Sequence, residues 1–417
     1  MKHLKLATKI IIGIDMKHLK LAIAAAVVLA AGIWLMQPED PERTNPFDGE
    51  AQPLSTGILS PQKGLTLALE RRTPDGPHVL LVTELQGDQI SAVDLTAAGL
   101  TTKTDFFEVL TDVGIETLVD IAQANTNDPL PVVQRSFSDL LPAAGTAARH
   151  VASGTNFPEH QEETGSESVF NFPKFGLATP PVTTVSTDAD ELLDYEVEIC
   201  TRFDRDIESI EDFDAAQKGF FLCGDFSNRS VLTRLIDPDN YDSGTGFSDA
   251  KSGPERFPSG GLFVVPLDWE SFVKNERLVT QINDEIRQDA RAGEMILSFR
   301  LLVEKALADT ESTRFLYDDK QWHLVENGMI ARDQVLMSGT SEGVIFMPPT
   351  MKQIVRGAML YIVKGTFLTG QSPYDAVIEG FLDEERASLQ FLQPGHLVTH
   401  NSSNMGIISV VVQRAEN

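Results

Sequence analysis

The sequence predicts a mixed α+β body that is mainly β. Three observations carry that prediction. From residue 146 onward, short apolar runs alternate with glycines and polar loops. The runs at 192–201, 261–266, 278–282, 334–338, 343–347, 397–400 and 407–413 have the length and composition of strands. Helical spacing is confined to 212–222, 295–308 and 351–363. Finally, strands and helices do not alternate as they do in a βαβ array. Neither GxGxxG nor GxxxxGK[ST] occurs, so nucleotide-binding folds lack their phosphate loops.

Upstream, residues 58–145 predict a small α+β domain. Strands are expected at 65–70, 79–85 and 89–94, with turns at 74–76 and 87–88. A helix is expected over 106–124, where Phe107, Leu110, Val113, Leu118 and Ile121 make one apolar face. Residues 37–57 are rich in proline, glycine and acid, lack periodicity and read as a linker. The chain of 417 residues has room for both domains.

The N-terminus carries a run of sixteen uncharged residues, 21–36, after Lys17 and Lys20. It is slightly short for a membrane span of roughly 17–25 residues and longer than the usual signal core of about 7–15. No small-x-small cleavage site follows. The reading is an uncleaved membrane anchor with its lysines in the cytoplasm and its body in a bacterial periplasm. A cleaved signal for secretion to the periplasm is the rival. Residues 1–7 recur at 16–22, a duplication too short to be a structural repeat.

A net charge of −27 excludes the basic surface that nucleic acid requires. The two cysteines, Cys200 and Cys223, cannot build a zinc site alone. They read as two small buried residues, with a disulfide as the alternative in an oxidising compartment.

Several segments carry chemistry. In 193–199, Glu196 and Glu198 fall on one face of a strand. Alone, that pattern is most often a solvated face. Adjacent carboxylates repel unless water or a cation separates them, and all-oxygen ligation suits Mg²⁺, Mn²⁺ or Ca²⁺. His160 and Glu163 have i, i+3 spacing, which one helical turn would bring together as a general base for water. A surface histidine beside acids is the commoner meaning. Asp225 and Arg229 share a turn, and Lys251 sits in a loop where a solvated lysine is ordinary. Residues 339–343 satisfy G-x-S-x-G around Ser341, with Asp383 and His396 or His400 downstream. The serine of such an elbow must open a helix, whereas 343–349 reads as a strand stopped by prolines.

In this order, the segments resemble the fumarylacetoacetate hydrolase family. Asn156 to Glu163 fits N-[YF]-x-x-H-x-x-E, and 172–174 is a strand ending in Lys174. Asp194 to Glu198 fits D-Y-E-x-E, and Gly224 to Arg229 fits N-D-x-S-x-R with glycine for asparagine. A loop lysine follows at Lys251 and a later glutamine at Gln288. Leu336 to Val344 fits L-x-x-G-T-x-x-G-V, and 392–396 resembles the closing L-x-P-G-D turn. The resemblance spans residues 150–417. Leu232 stands where the family commonly has glutamine, Phe157 where tyrosine is usual and His396 where the closing aspartate is expected. About forty residues also separate the last two motifs.

The resemblance implies a β-roll catalytic domain over 146–417, usually a homodimer, with an oxygen-ligated Mg²⁺ (or Mn²⁺ or Ca²⁺). It implies Glu196, Glu198 and Asp225 as metal ligands, and His160 with Glu163 as the water-activating dyad. It places Lys251 beside the developing charge. Arg229, Lys174, Gln288 and Thr340 would bind substrate. The expected reaction is metal-dependent hydrolysis of a C–C bond in an acylpyruvate-like β-diketo acid, with the enolate stabilised by the ion. Hydratase, decarboxylase or isomerase chemistry on a 2-keto acid, or a non-catalytic anchored protein, are the alternatives.

Overall fold

A computed structural model describes residues 29, 32–34, 49–71, 76–124 and 130–415. The observed class is mixed α+β, dominated by two sheets. The chain divides into two units. One comprises 44–348 with 389–417, and the other Met1–Arg43 with Pro349–Ser388.

In the larger unit, ten strands form one sheet. Its order is Val132–Ser136, Gln89–Asp94, His78–Gln86, Gly64–Glu70, Leu262–Pro266, Lys218–Gly224, Val197–Phe203, Leu336–Met337, Arg149–Gly154 and Phe170–Phe175. Every pairing is antiparallel except that between Leu336–Met337 and Arg149–Gly154. The N-terminal strands join the rest where Gly64–Glu70 pairs with Leu262–Pro266. Leu262 there enters a core with Ala68, Leu80, Val82, Ile90, Phe137 and Leu140. Pro173 is accommodated because Phe170–Phe175 is an edge strand, where a missing N–H leaves no ladder bond unmade. A second sheet runs Glu285–Arg291, Arg277–Ile282, Leu397–Ser402, Ile407–Arg414 and Val182–Thr187.

The departures from the sequence reading have local causes. The helix expected over 106–124 is two, Phe106–Val113 and Ile115–Ala122, broken at Gly114 with φ 89°. Residues 212–222 split into helix Ile210–Ala215, capped by Ser209, and strand Lys218–Gly224. A continuous apolar run such as 219–223 fits a buried strand as well as a helix. Residues 343–347 form no strand, because Ile345 and Phe346 spend their N–H groups on the Asp194 carboxylate, at 3.0 and 3.1 Å. In the smaller unit, helix Met351–Val363 has its expected bounds and packs on helix Pro373–Ser388, which the sequence reading lacked.

The membrane anchor and periplasmic body expected from 21–36 are corrected here. Among the described residues, no helix is long and apolar enough to cross a membrane. Most of that run lies outside the described residues.

Two stability effects follow. Leu262→Ala should cost about 2–5 kcal/mol in urea unfolding, because it opens a cavity where the sheet's two halves meet. Glu276 is buried against Asn404, and burial raises its carboxyl from 4.5 to about 7. The folded chain therefore holds a proton that the unfolded chain has released. Glu276 should lower stability as pH rises from 4.5 to about 7, and thermal melts of Glu276→Gln should show a shallower fall across that window.

Candidate functional site

The site grows from two neighbouring strands. Val197–Phe203 pairs with Lys218–Gly224 so that Glu198 lies opposite Cys223. One step further along, the Asp225 N–H donates to the Glu196 carbonyl at 2.9 Å. This register brings Glu196, Glu198 and Asp225 together with one oxygen of each within 4.8 Å of the others, all buried.

Three cations answer that charge. Lys251 Nζ lies 2.7 Å from Glu196 Oε2 and 2.9 Å from Asp225 Oδ2. Lys174 Nζ lies 2.7 Å from Asp225 Oδ1 and also donates to the carbonyls of Lys251 and Arg256. Arg229 donates to Asp194 at 2.8 Å through Nε and to Glu196 at 2.7 Å through Nη2. Burial alone would raise Glu196, but Lys251 and Arg229 outweigh it and hold the carboxyl below its usual value. Glu198 has no such partner. Burial, then repulsion by Asp225 and Glu196, pushes it well above the usual range. Its Oε2 accepts from Gly339 N–H at 2.8 Å, while its buried Oε1 has no hydrogen-bond partner. An orphaned carboxylate oxygen facing two more carboxylates fits a hard divalent cation.

Beside the triad, helix Pro158–Thr164 brings His160 Nδ1 within 2.7 Å of Glu163 Oε2. Glu163 Oε1 accepts from Gly343 N–H at 2.6 Å, so both carboxylate oxygens are fixed. Burial raises the Glu163 carboxyl. With Nδ1 facing a carboxylate, the ring's basic position is Nε2.

Gln288 and Thr340 are buried and bonded within the protein. Gln288 Nε2 donates to Thr340 Oγ1 at 2.8 Å and to Ser341 O at 3.0 Å, and Thr340 donates to Val197 O at 2.9 Å. They hold the 339–343 loop against the ligand strand. Gly339 and Gly343 have φ of 81° and 93°, and a Cβ on Gly343 would fall 1.9 Å from Arg287 O. Only glycine fits there.

The serine reading fails in detail. Ser341 donates to the Glu342 carbonyl at 3.4 Å, His400 pairs with Thr280 at 2.9 Å and His396 lies 3.3 Å from Gln393 N. Neither His396 nor His400 pairs with the serine.

One feature escaped the sequence reading, and a second was given there only as an alternative. Asp194 is fully buried and accepts from Tyr195, Ile345 and Phe346 N–H as well as Arg229, tying strand, loop and cation together. Its place in D-Y-E-x-E was the available signal. The cysteines are buried as expected, and of the two readings offered for them the disulfide is the one that holds: Cys200 and Cys223 are joined.

The fold and site are thus defined by a buried carboxylate triad beside a His–Glu pair on an α+β frame. Residues 147–413 match the fumarylacetoacetate (FAA) hydrolase C-terminal model, and the chain belongs to that family. An uncharacterized protein of Staphylococcus epidermidis is 29% identical over 174 residues, covering 40% of this chain and 54% of that one. A Staphylococcus aureus protein is 28% identical over 179 residues, covering 41% and 56%. The chain thus spans about half the length of the relatives it matches. Among solved structures, a protein designated HpcE from Mycobacterium smegmatis superposes with TM-score 0.51 at 20% identity, covering 84% of this chain and all of that one. A 2-hydroxyhepta-2,4-diene-1,7-dioate isomerase from Mycobacterium marinum gives 0.48 at 15%, over 85% of this chain. At such identities the likeness is one of fold.

Asp194→Ala should leave Arg229 with only Glu196 of its two buried carboxylate partners and release the 343–347 loop. The expected loss is about 3–5 kcal/mol in urea unfolding.

Proposed function

We propose that the chain is a divalent-metal-dependent hydrolase that cleaves a C–C bond in an acylpyruvate-like β-diketo acid. The observation that carries this reading is the unpartnered, buried Glu198 Oε1 within the triad, with a fixed His–Glu pair close enough for His160 to act electrostatically on Glu196. Glu196, Glu198 and Asp225 would hold the ion, with Mg²⁺ favoured by the all-oxygen donor set. When bound, that ion supplies Lewis-acid polarisation of the substrate's oxygens.

The protein groups then have defined tasks. Glu163 orients His160, whose Nε2 takes a proton from water as the oxygen adds to the carbonyl distal to the carboxylate. The bond from that carbonyl carbon to the neighbouring methylene breaks. The products are a carboxylic acid and the enolate of a 2-keto acid, which takes up a proton. Lys251 has three N–H donors, two of them committed to Glu196 and Asp225. The third is available to an oxygen that gains charge in the transition state. Arg229 and Lys174 are committed to carboxylates, which supports a role in setting ligand charge and position. The family match beginning at residue 147 supports 146–417 as the catalytic region, and a homodimer belongs to the same reading.

The test is direct assay of the full chain with Mg²⁺ and a series of acylpyruvates, following loss of diketo absorbance and identifying both products. Cleavage should stop with EDTA and return with Mg²⁺. His160→Ala should lower kcat by about 10²–10⁴-fold. Decarboxylation, hydration or isomerisation without cleavage would replace the hydrolase assignment while leaving the metal in place. No turnover and no metal binding would end it.

A further inference from the structure

The disulfide sits on the ligand ladder itself. On one face of the paired strands, Asp225 lies one step beyond the end of the ladder opposite Glu196, then Cys223 lies opposite Glu198, then Phe221 opposite Cys200. The Cys200–Cys223 bond therefore runs diagonally from the middle rung to the next, with Cα atoms 6.0 Å apart. Cys223 Sγ is 3.6 Å from the Glu198 carbonyl oxygen. Cys200 is two residues past Glu198, and Cys223 two residues before Asp225. Cys200 is also the register partner of Met337, which leads through Ser338 to the Gly339 N–H that holds Glu198. Both cysteines are fully buried.

Lys251 bridges Glu196 and Asp225 across the two strand ends, but the Glu198 carboxylate beside them has no cation partner and repels both. Backbone hydrogen bonds resist sliding of one strand past the other only weakly near a ladder's end. A covalent diagonal resists it directly, beside the rung that carries the triad's unpartnered oxygen, Glu198 Oε1.

We propose that Cys200 and Cys223 are positioning residues for the metal ligands: their crosslink fixes Glu198 of one strand against Asp225 of the next before the ion binds. This rests on the metal reading above. Preorganised ligands spend less binding energy on ordering, so opening the crosslink should weaken the metal by about tenfold or more, the range typical of supporting groups around a metal.

The experiment titrates MnCl₂ into the full chain by calorimetry in three forms. The first is oxidised, the second is reduced by dithiothreitol in mild urea and desalted anaerobically, and the third is that sample reclosed with oxidised glutathione. Two electrons and two protons pass from dithiothreitol to the disulfide, giving two thiols and the reductant's cyclic disulfide. Glutathione disulfide takes them back. The Cys200→Ala/Cys223→Ala variant is titrated in parallel, and metal-free melts of all four samples are recorded. The expected result is a dissociation constant at least about tenfold weaker in the open forms, restored on reclosure, while the open forms remain folded at the titration temperature. Equal affinity in open and closed forms overturns the proposal, even if the open forms melt lower, because a purely structural crosslink changes stability alone. Two free thiols in the protein as isolated overturn it as well. Failure of the closed form to bind Mn²⁺ overturns the metal reading first, and this one with it.

Discussion

The constraint on which the structure depends is the burial of charge. Asp194, Glu196, Glu198 and Asp225 are at most 4% exposed, as are Lys174, Lys251 and Arg229. Buried ions are tolerated only when paired and hydrogen-bonded. The pairing here is complete except at one oxygen of Glu198. Four carboxylates meet three cations, so a site without a further cation is short by one positive charge. The raised Glu198 carboxyl is the protein's own answer to that deficit. A divalent ion is the other.

Much of the surrounding architecture serves this balance. Asp194 directs Arg229 toward Glu196 and gathers the amides of Ile345 and Phe346, which removes the 343–347 segment from any ladder. The same loop offers the Gly343 N–H to Glu163 and the Gly339 N–H to Glu198, joining the His160–Glu163 pair and the carboxylate triad through one stretch of backbone. Gln288, from the second sheet, pins that loop through Thr340 and Ser341. The site is thus assembled from both sheets, and its precision depends on contacts between segments far apart in the chain.

That assembly explains what was legible in the sequence. Alternation exposed Glu196 and Glu198 as neighbours on one face, and the i, i+3 spacing exposed His160 and Glu163 as a pair. Both are local periodicities. Solvation is not: on alternation alone Glu196 and Glu198 read as a wet face, yet both are buried, and only the order of the motifs along the chain pointed that way. The roles of Asp194 and of Gly339 and Gly343 depend on long-range contacts that no local pattern records. The run 219–223 was ambiguous because an unbroken apolar stretch suits strand and helix equally. The disulfide stood only as the alternative because a separation of 23 residues does not reveal that the two strands pair in the register that joins them. The apolar run at 21–36 suggested a span, and length and hydropathy without a described helix gave that reading no structural support.

The central claim is that the Glu196–Glu198–Asp225 triad is a metal centre. Anomalous diffraction from crystals of the full chain grown with MnCl₂ tests it most directly. The account predicts one strong peak within coordination distance of all three carboxylates, with Glu198 Oε1 among the ligands. An empty triad at saturating Mn²⁺, with Lys251 still seated between Glu196 and Asp225, would contradict it.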